Sequence, residues 1–135
     1  EDFYKLKDFI NKNNMEKNVY LEGYKENVYE YLSNSKAFIL SSLWEDPGFV
    51  LVEAAFCKVP IISSDCDNGP KELIKDGVNG ILFKSNNTEN FLVKFDEFIK
   101  LKKDSSKFLL SSLKMSKKFT LFNHHLNFKK TLIDV

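Results

Sequence analysis

The sequence is organised around one stretch, which reads Ser41-Ser42-Leu43-Trp44-Glu45-Asp46-Pro47-Gly48-Phe49-Val50-Leu51-Val52-Glu53-Ala54-Ala55. The short apolar run before it, residues 37–40, is typical of a buried parallel strand. Its second half, Phe49–Phe56, has the length and the Ala/Leu content of a helix. Gly48 lies at the hinge between the two. The stretch therefore predicts a strand-to-helix loop that carries Glu45, followed by a helix that carries Glu53.

This loop has the features of a ligand site. In open α/β sheets, ligands bind beyond the carboxyl ends of the strands, where helix N-termini gather. A helix beginning near Gly48 or Phe49 would offer unpaired N–H groups and its positive dipole end to an anion such as a diphosphate. Because Glu45 and Glu53 would repel phosphate, a ligand that uses both should present hydroxyl groups to them. A nucleotide-linked sugar carries phosphates and hydroxyls at such spacings.

The two glutamates, with Val-Leu-Val before the second and Ala-Ala after it, resemble the paired-glutamate motif of the family 4 (group 1) retaining glycosyltransferases. Residues 58–65 resemble the strand that follows in that family. Residues 69–74 and 76–83 resemble its next helix, turn and strand. The resemblance runs in the expected order from about residue 19 to residue 83.

The resemblance implies an α/β fold, a Rossmann-like parallel sheet with flanking helices that forms most of the C-terminal, donor-binding half of a GT-B enzyme. Residues 1–135 would be part of this nucleotide-sugar-binding domain, with residues 104–135 a helical tail that packs on the missing N-terminal domain. The whole enzyme would transfer a sugar from a UDP- or GDP-linked donor to a glycan or lipid-linked acceptor, with retention. No cofactor and no essential metal are implied. Since the family's acceptor site lies in the N-terminal domain, we expect the isolated chain to be inactive.

The resemblance also assigns roles within the central stretch. Glu45 would be the catalytic-site residue that hydrogen-bonds the transferred sugar, and Glu53 would bind the ribose hydroxyls. Ionised carboxylates suit both roles because they accept from two neighbouring O–H groups. The backbone amides of Gly48, Phe49 and Val50 would hold the diphosphate.

A second corner is expected near the nucleotide base. Residues 19–22 predict a strand, and Gly23 and Tyr24 follow it at the same kind of strand-to-helix corner. By the resemblance, Gly23, Tyr24 and Lys25 would contact the base. The alternative is that Tyr24 is a loop aromatic that covers the edge of the core.

Two features keep other functions open. The family usually has Gly after the first glutamate, whereas this chain has Asp46 and then Pro47, which removes an N–H donor. This departure supports an alternative, a non-catalytic α/β nucleotide-sugar-binding or interaction module.

Asp65 and Asp67 form an Asp-x-Asp pair that resembles the metal site of the other large glycosyltransferase fold. A metal-dependent enzyme of that kind is a further alternative.

The rest of the chain predicts alternating elements typical of a parallel sheet. An amphipathic helix is expected at the start, with its apolar stripe at Phe3, Leu6, Phe9 and Ile10. Further expected elements are a helix at 28–33, strands at 37–40, 60–63 and 81–83, a helix at 70–75, and helices at 107–118, at 123–133 and from Thr88 onward.

Composition limits the partners and the setting. The chain has 135 residues, 43% of them apolar, and a formal net charge of +1, which argues against a nucleic-acid partner. Its start shows neither an initiator Met nor a signal peptide, so we expect a piece of a longer protein. Cys57 and Cys66 fit no disulfide or zinc pattern, which favours a reduced, cytoplasmic setting.

The end of the chain is rich in lysine. From Lys100 onward there are nine Lys and two Asp. Solvated helix faces are one explanation. The other is that these lysines attract the protein peripherally to the anionic inner face of the membrane, which would suit a lipid-linked acceptor.

Overall fold

The computed structural model describes residues 2–101 and 105–133. Its sheet has three strands, β1 (Phe38–Leu40), β2 (Ile61–Ser64) and β3 (Ile81–Phe83). They lie in the order β1-β2-β3, and both neighbouring pairs are parallel. The predicted parallel α/β architecture is therefore confirmed.

Helices connect and cover these strands. Along the chain they are α1 (Asp2–Lys12), α2 (Tyr29–Ser33), α3 (Phe49–Phe56), α4 (Pro70–Leu73), α5 (Thr88–Leu101), α6 (Ser105–Ser116) and α7 (Leu121–Ile133), with a 3-10 turn (Lys117–Phe119) between the last two. Helix α3 links β1 to β2, and α4 links β2 to β3. No helix in the described ranges is both long and apolar enough to cross a membrane.

Strand β2 is buried along its whole length because both faces of the sheet are covered there. Successive side chains of a strand point to opposite faces. Accordingly Ile61 packs in one cluster with Leu51 of α3, and Ile62 packs in another with Phe98 of α5. The continuous Ile pair, typical of a doubly covered strand, thus sits where the sequence predicted it.

The first helix of the tail, α6, packs as part of this domain. Helix α6 packs on α3, and its Ser112 and Ser116 are fully buried, as small residues at a close helix contact should be. Helix α7 has no buried residue in its described range. The prediction that the end of the tail packs on an N-terminal domain stays a prediction.

Two sequence-based expectations need correction. Residues 19–22 are not a strand: β1 pairs only with β2 among the described strands, and a lone segment has no ladder to join. Helix α4 ends at Leu73 rather than residue 75, because Ile74 is extended and the Lys75 N–H donates to Asn79 Oδ1 at 2.7 Å. Helix α1 forms as predicted, but of its apolar stripe only Ile10 is buried within the described structure.

Candidate active site at the start of helix α3

The site lies where the loops after β1 and β2 run side by side at the carboxyl edge of the sheet. Trp44 and Asp67 form an isolated parallel bridge. The Glu45 N–H donates to the Asp67 carbonyl at 3.4 Å, and Ser64 Oγ donates to the Ser42 carbonyl at 2.6 Å. The two loops therefore form one joined surface.

Helix α3 begins with an open first turn. Gly48 precedes it in the left-handed region, with φ +76° and ψ +42°, and no side chain caps the helix. The Leu51 N–H donates to the Gly48 carbonyl at 3.0 Å. The N–H groups of Phe49 and Val50 have no acceptor among the residues that the structure describes. A helix start of this kind binds anions, since its donors and its dipole point the same way.

Gly69 fixes the shape of this helix start from the neighbouring loop. Its φ is +139°, and a Cβ at this position would lie 2.1 Å from the carbonyl oxygen of Pro47. The peptide bond between Asp46 and Pro47 is cis. No residue other than glycine fits at position 69 without displacing the loop before α3. The sequence indicated only a turn here, so this role of Gly69 was missed.

Glu45 lies beside the helix start. It is half-buried, and a Cβ on Gly48 would be 3.6 Å from its Oε2 atom. Glu53 lies one turn inside α3, about 6 Å along the axis from Phe49, and is also half-buried. Neither carboxylate has an ion pair or a hydrogen bond to another side chain in the described ranges. Both are therefore available to accept from hydroxyl groups of a ligand.

The tail reaches this site through an aromatic contact. Phe49 is 56% exposed, and its ring meets that of Phe119 edge to face, with the centroids 6.2 Å apart. Phe119 follows α6 in the 3-10 turn. Nothing in the local sequence signals this contact, because it depends on how α6 packs against α3.

The second predicted corner stands apart from the core. Tyr24 is 90% exposed, so the alternative in which its ring covers the core edge is wrong. Gly23 has φ +64° and open space around it. The base-binding role of Gly23 and Tyr24 stays a prediction.

Charged groups around this corner stabilise one another. Glu22 accepts from Lys25 at 3.1 Å and from the Tyr31 hydroxyl at 2.9 Å. The hydrogen bond from Lys25 is the main cause that lowers the pKa of Glu22. The pKa of Lys25 is raised, mainly by its side-chain hydrogen bond with Tyr31 and next by the one with Glu22.

The Asp-x-Asp pair has structural partners. Asp65 Oδ1 accepts from the Ser85 N–H at 2.7 Å, which ties the end of β2 to the loop after β3. Asp67 pairs with Lys71 at 3.4 Å and is exposed. Within the described residues, no group of three or more His, Cys, Asp or Glu is placed to hold a metal ion.

The model of the family described as Glycosyl transferases group 1 matches residues 1–109. The chain belongs to this family. A relative among the group 1 glycosyltransferases, the poly(glycerol-phosphate) alpha-glucosyltransferase of Bacillus subtilis, is 32% identical over 127 residues, which cover 92% of this chain and 18% of the relative. An uncharacterized glycosyltransferase of Methanocaldococcus jannaschii is 41% identical over 75 residues, which cover 56% of this chain and 18% of the relative.

A solved structure of Anabaena HepE in complex with UDP shares the fold of this group 1 chain. The TM-score is 0.87 at 20% identity, and the match covers 98% of this chain and 37% of that one. The fold is thus that of the GT-B glycosyltransferases. The group 1 chain spans about a fifth of the length of the two relatives named above.

Proposed function

We propose that this chain is the donor-binding, C-terminal part of an enzyme that transfers a sugar from a nucleotide-sugar with retention. The observation that carries the proposal is the open first turn of α3, with Glu45 beside it and Glu53 one turn inside. One face thus offers donors for a diphosphate and acceptors for hydroxyls. Membership of the group 1 glycosyltransferases supports this assignment.

The amides of Gly48, Phe49 and Val50 would bind the diphosphate and stabilise the charge that builds on it as the sugar leaves. A preorganised helix start does this without reorganisation at the moment of reaction. Because the helix supplies the positive potential, we propose that no metal ion is essential. The hydrogen bonding of Asp65 supports a metal-free site, since one of its carboxylate oxygens already accepts a hydrogen bond from a backbone N–H.

The carboxylates would orient the rest of the donor. Glu45, at the helix start, would accept hydrogen bonds from the transferred sugar, and Glu53 would accept from both ribose hydroxyls. Gly23, Tyr24 and Lys25 would contact the base. We favour UDP over GDP, with support from the UDP complex of the structurally similar HepE.

The acceptor would be a glycan or a lipid-linked glycan bound largely by the part of the enzyme outside this chain. The relative that acts on poly(glycerol-phosphate) supports an acceptor of this general kind. We propose that the enzyme works in the cytoplasm, where lysines of the tail, such as Lys129 and Lys130, attract it to the inner membrane surface. Sedimentation with phosphatidylglycerol vesicles at low salt tests this attraction. An absence of vesicle binding would contradict the proposed membrane attraction.

Calorimetric titration with UDP, GDP and their glucose and N-acetylglucosamine conjugates tests the donor site. It should be made on this chain and on the full-length protein, with a chelator or with Mg²⁺ or Mn²⁺. We expect metal-independent binding that Glu53→Ala weakens about tenfold, because two hydrogen bonds to a charged acceptor are lost. Glu89→Ala, an exposed glutamate in the first turn of α5, is the matched control and should bind as the wild type does.

Other outcomes favour the alternatives. Binding that requires metal and is lost in Asp65→Ala or Asp67→Ala would replace the helix-based site with a metal site. Full-length protein that binds donor and neither hydrolyses nor transfers the sugar would favour the non-catalytic module. Transfer that Glu45→Ala abolishes would exclude that module.

A further inference from the structure

A groove separates α4 and the turn after it from α6. It has a volume of about 490 Å³, and its eleven lining residues include four lysines, one glutamate and four apolar side chains. Lys71 and Lys75 come from the α4 side, and Lys114 and Lys118 come from the α6 side. Glu72 is the acidic group. Four of the chain's 20 basic residues thus meet in one groove, with a single glutamate among them.

Three of the four lysines have no ion-pair partner within the described parts of the chain. Lys71 pairs with Asp67 at 3.4 Å. Lys75, Lys114 and Lys118 have no ion pair with any residue in the described ranges. Like charges held together across a groove repel one another, so the arrangement favours an anionic occupant.

One end of the groove lies beside the start of α3. Lys71 follows closely on Gly69, which contacts Pro47, and Lys118 precedes Phe119, whose ring contacts Phe49. Both lysines line the same groove, together with Lys75 and Lys114, so two of its four lysines lie within two residues of groups that contact the loop and helix start of the candidate active site.

We propose that this groove binds a linear polyanion with phosphodiester charges, laid along the two lysine walls. A shallow groove with lysines on both sides can hold a single narrow chain between them, and a polyanion matches this spacing of charge in one line. Lysine acts as a point charge toward phosphate and needs no planar fork. Binding of such a partner does not depend on how a donor is bound.

The test is binding of a fluorescently labelled glycerol-phosphate oligomer, followed by anisotropy at several salt concentrations. Lys75→Glu combined with Lys114→Glu should weaken binding about tenfold or more, and the remaining binding should depend less steeply on salt. The matched control is Lys7→Glu combined with Lys36→Glu, which changes the net charge equally on exposed lysines outside the groove. Its binding should stay within about twofold of the wild type.

Equal losses in both double variants would show an effect of net charge alone and overturn the proposal, as would an absence of oligomer binding. Vesicles of phosphatidylglycerol that bind through the same lysines, with no oligomer binding, would assign the surface to a membrane instead. If the Glu double variant does not fold by circular dichroism, Lys75→Gln with Lys114→Gln replaces it. UDP binding is measured in parallel, so that failure of the donor proposal and failure of this one are told apart.

Discussion

The ring of Phe49 meets the ring of Phe119 edge to face, with centroids 6.2 Å apart and planes at 73°. Phe49 is the first residue of α3, and Phe119 ends the 3-10 turn after α6. The packing of α6 on α3 brings the two rings together. The tail therefore supports the turn whose amides we assign to the diphosphate.

Phe119→Ala should lower the free energy of unfolding by at least about 1 kcal/mol, since an edge-to-face pair contributes about that much beyond the apolar area that it buries. It should also weaken UDP binding a few-fold, because the first turn of α3 loses its support. Urea unfolding and UDP titration measure the two effects. Phe122→Ala, an exposed ring in α7, is the control and should change neither. Unchanged UDP binding in Phe119→Ala would show that the contact stabilises the fold without positioning the site.

Gly69→Ala should lower the free energy of unfolding by about 3 kcal/mol or more, because its methyl group would lie 2.1 Å from the Pro47 carbonyl oxygen. The control is Gly77→Ala, which has a φ of +72° and open space around its Cβ position. That change should cost only about 1 kcal/mol, the penalty of a left-handed residue. Thermal unfolding of the two variants checks the difference, and equal losses would contradict the close contact.

Ser112→Ala should be neutral or stabilise the protein by up to about 1 kcal/mol, because its buried hydroxyl has no partner among the described groups. Ser116 is equally buried, but its Oγ donates to the Leu113 carbonyl at 2.9 Å. Ser116→Ala should therefore destabilise by about 0.5 to 1 kcal/mol. Urea unfolding compares the two variants, and a destabilised Ser112→Ala would point to a partner for that hydroxyl.

Lys94 should stabilise the fold in a pH-dependent way. Its Nζ donates to Asp76 at 3.0 Å and to Glu97 at 3.1 Å. These hydrogen bonds, that to Asp76 first, raise the pKa of Lys94 above its ordinary value of 10.5. Because the folded pKa is the higher one, the stabilisation is fully present below the unfolded pKa and is lost as the pH rises through the folded pKa.

Lys94→Met should therefore lower the free energy of unfolding by about 0.5 to 1 kcal/mol near neutral pH. The difference from the wild type should shrink in strongly alkaline solution. Lys84→Met, an exposed lysine before α5, is the control. A difference that is independent of pH would mean that Lys94 acts through packing of its stem.

The sequence was sufficient to predict those features whose structure depends on residues close together along the chain. Glu45, Gly48 and Glu53 lie on one stretch, so their arrangement follows from a single loop and a single helix. The Ile61-Ile62 run marks β2 because its burial on both faces is visible in its composition. Much of the candidate site could therefore be located from the sequence.

Contacts between distant segments could not be predicted in this way. Residues 19–22 have the composition of a strand, but a strand forms only by pairing, and composition does not supply the partner. The contact of Phe119 with Phe49 and that of Gly69 with Pro47 depend on three-dimensional packing. The groove of four lysines escaped notice for the same reason, since its two walls come from separate parts of the chain.

The contact between Gly69 and the Pro47 carbonyl also affects how a mutational scan of this protein should be interpreted. Replacements at Gly69 and at Glu53 should both lower activity, so a survey scored by growth or turnover would not tell them apart. Their origins differ, since the change at Gly69 distorts the shape of the loop pair, whereas the change at Glu53 removes the ribose contact that we propose. Only a scan that also measures protein abundance would separate the residue that shapes the site from the residue proposed to bind in it.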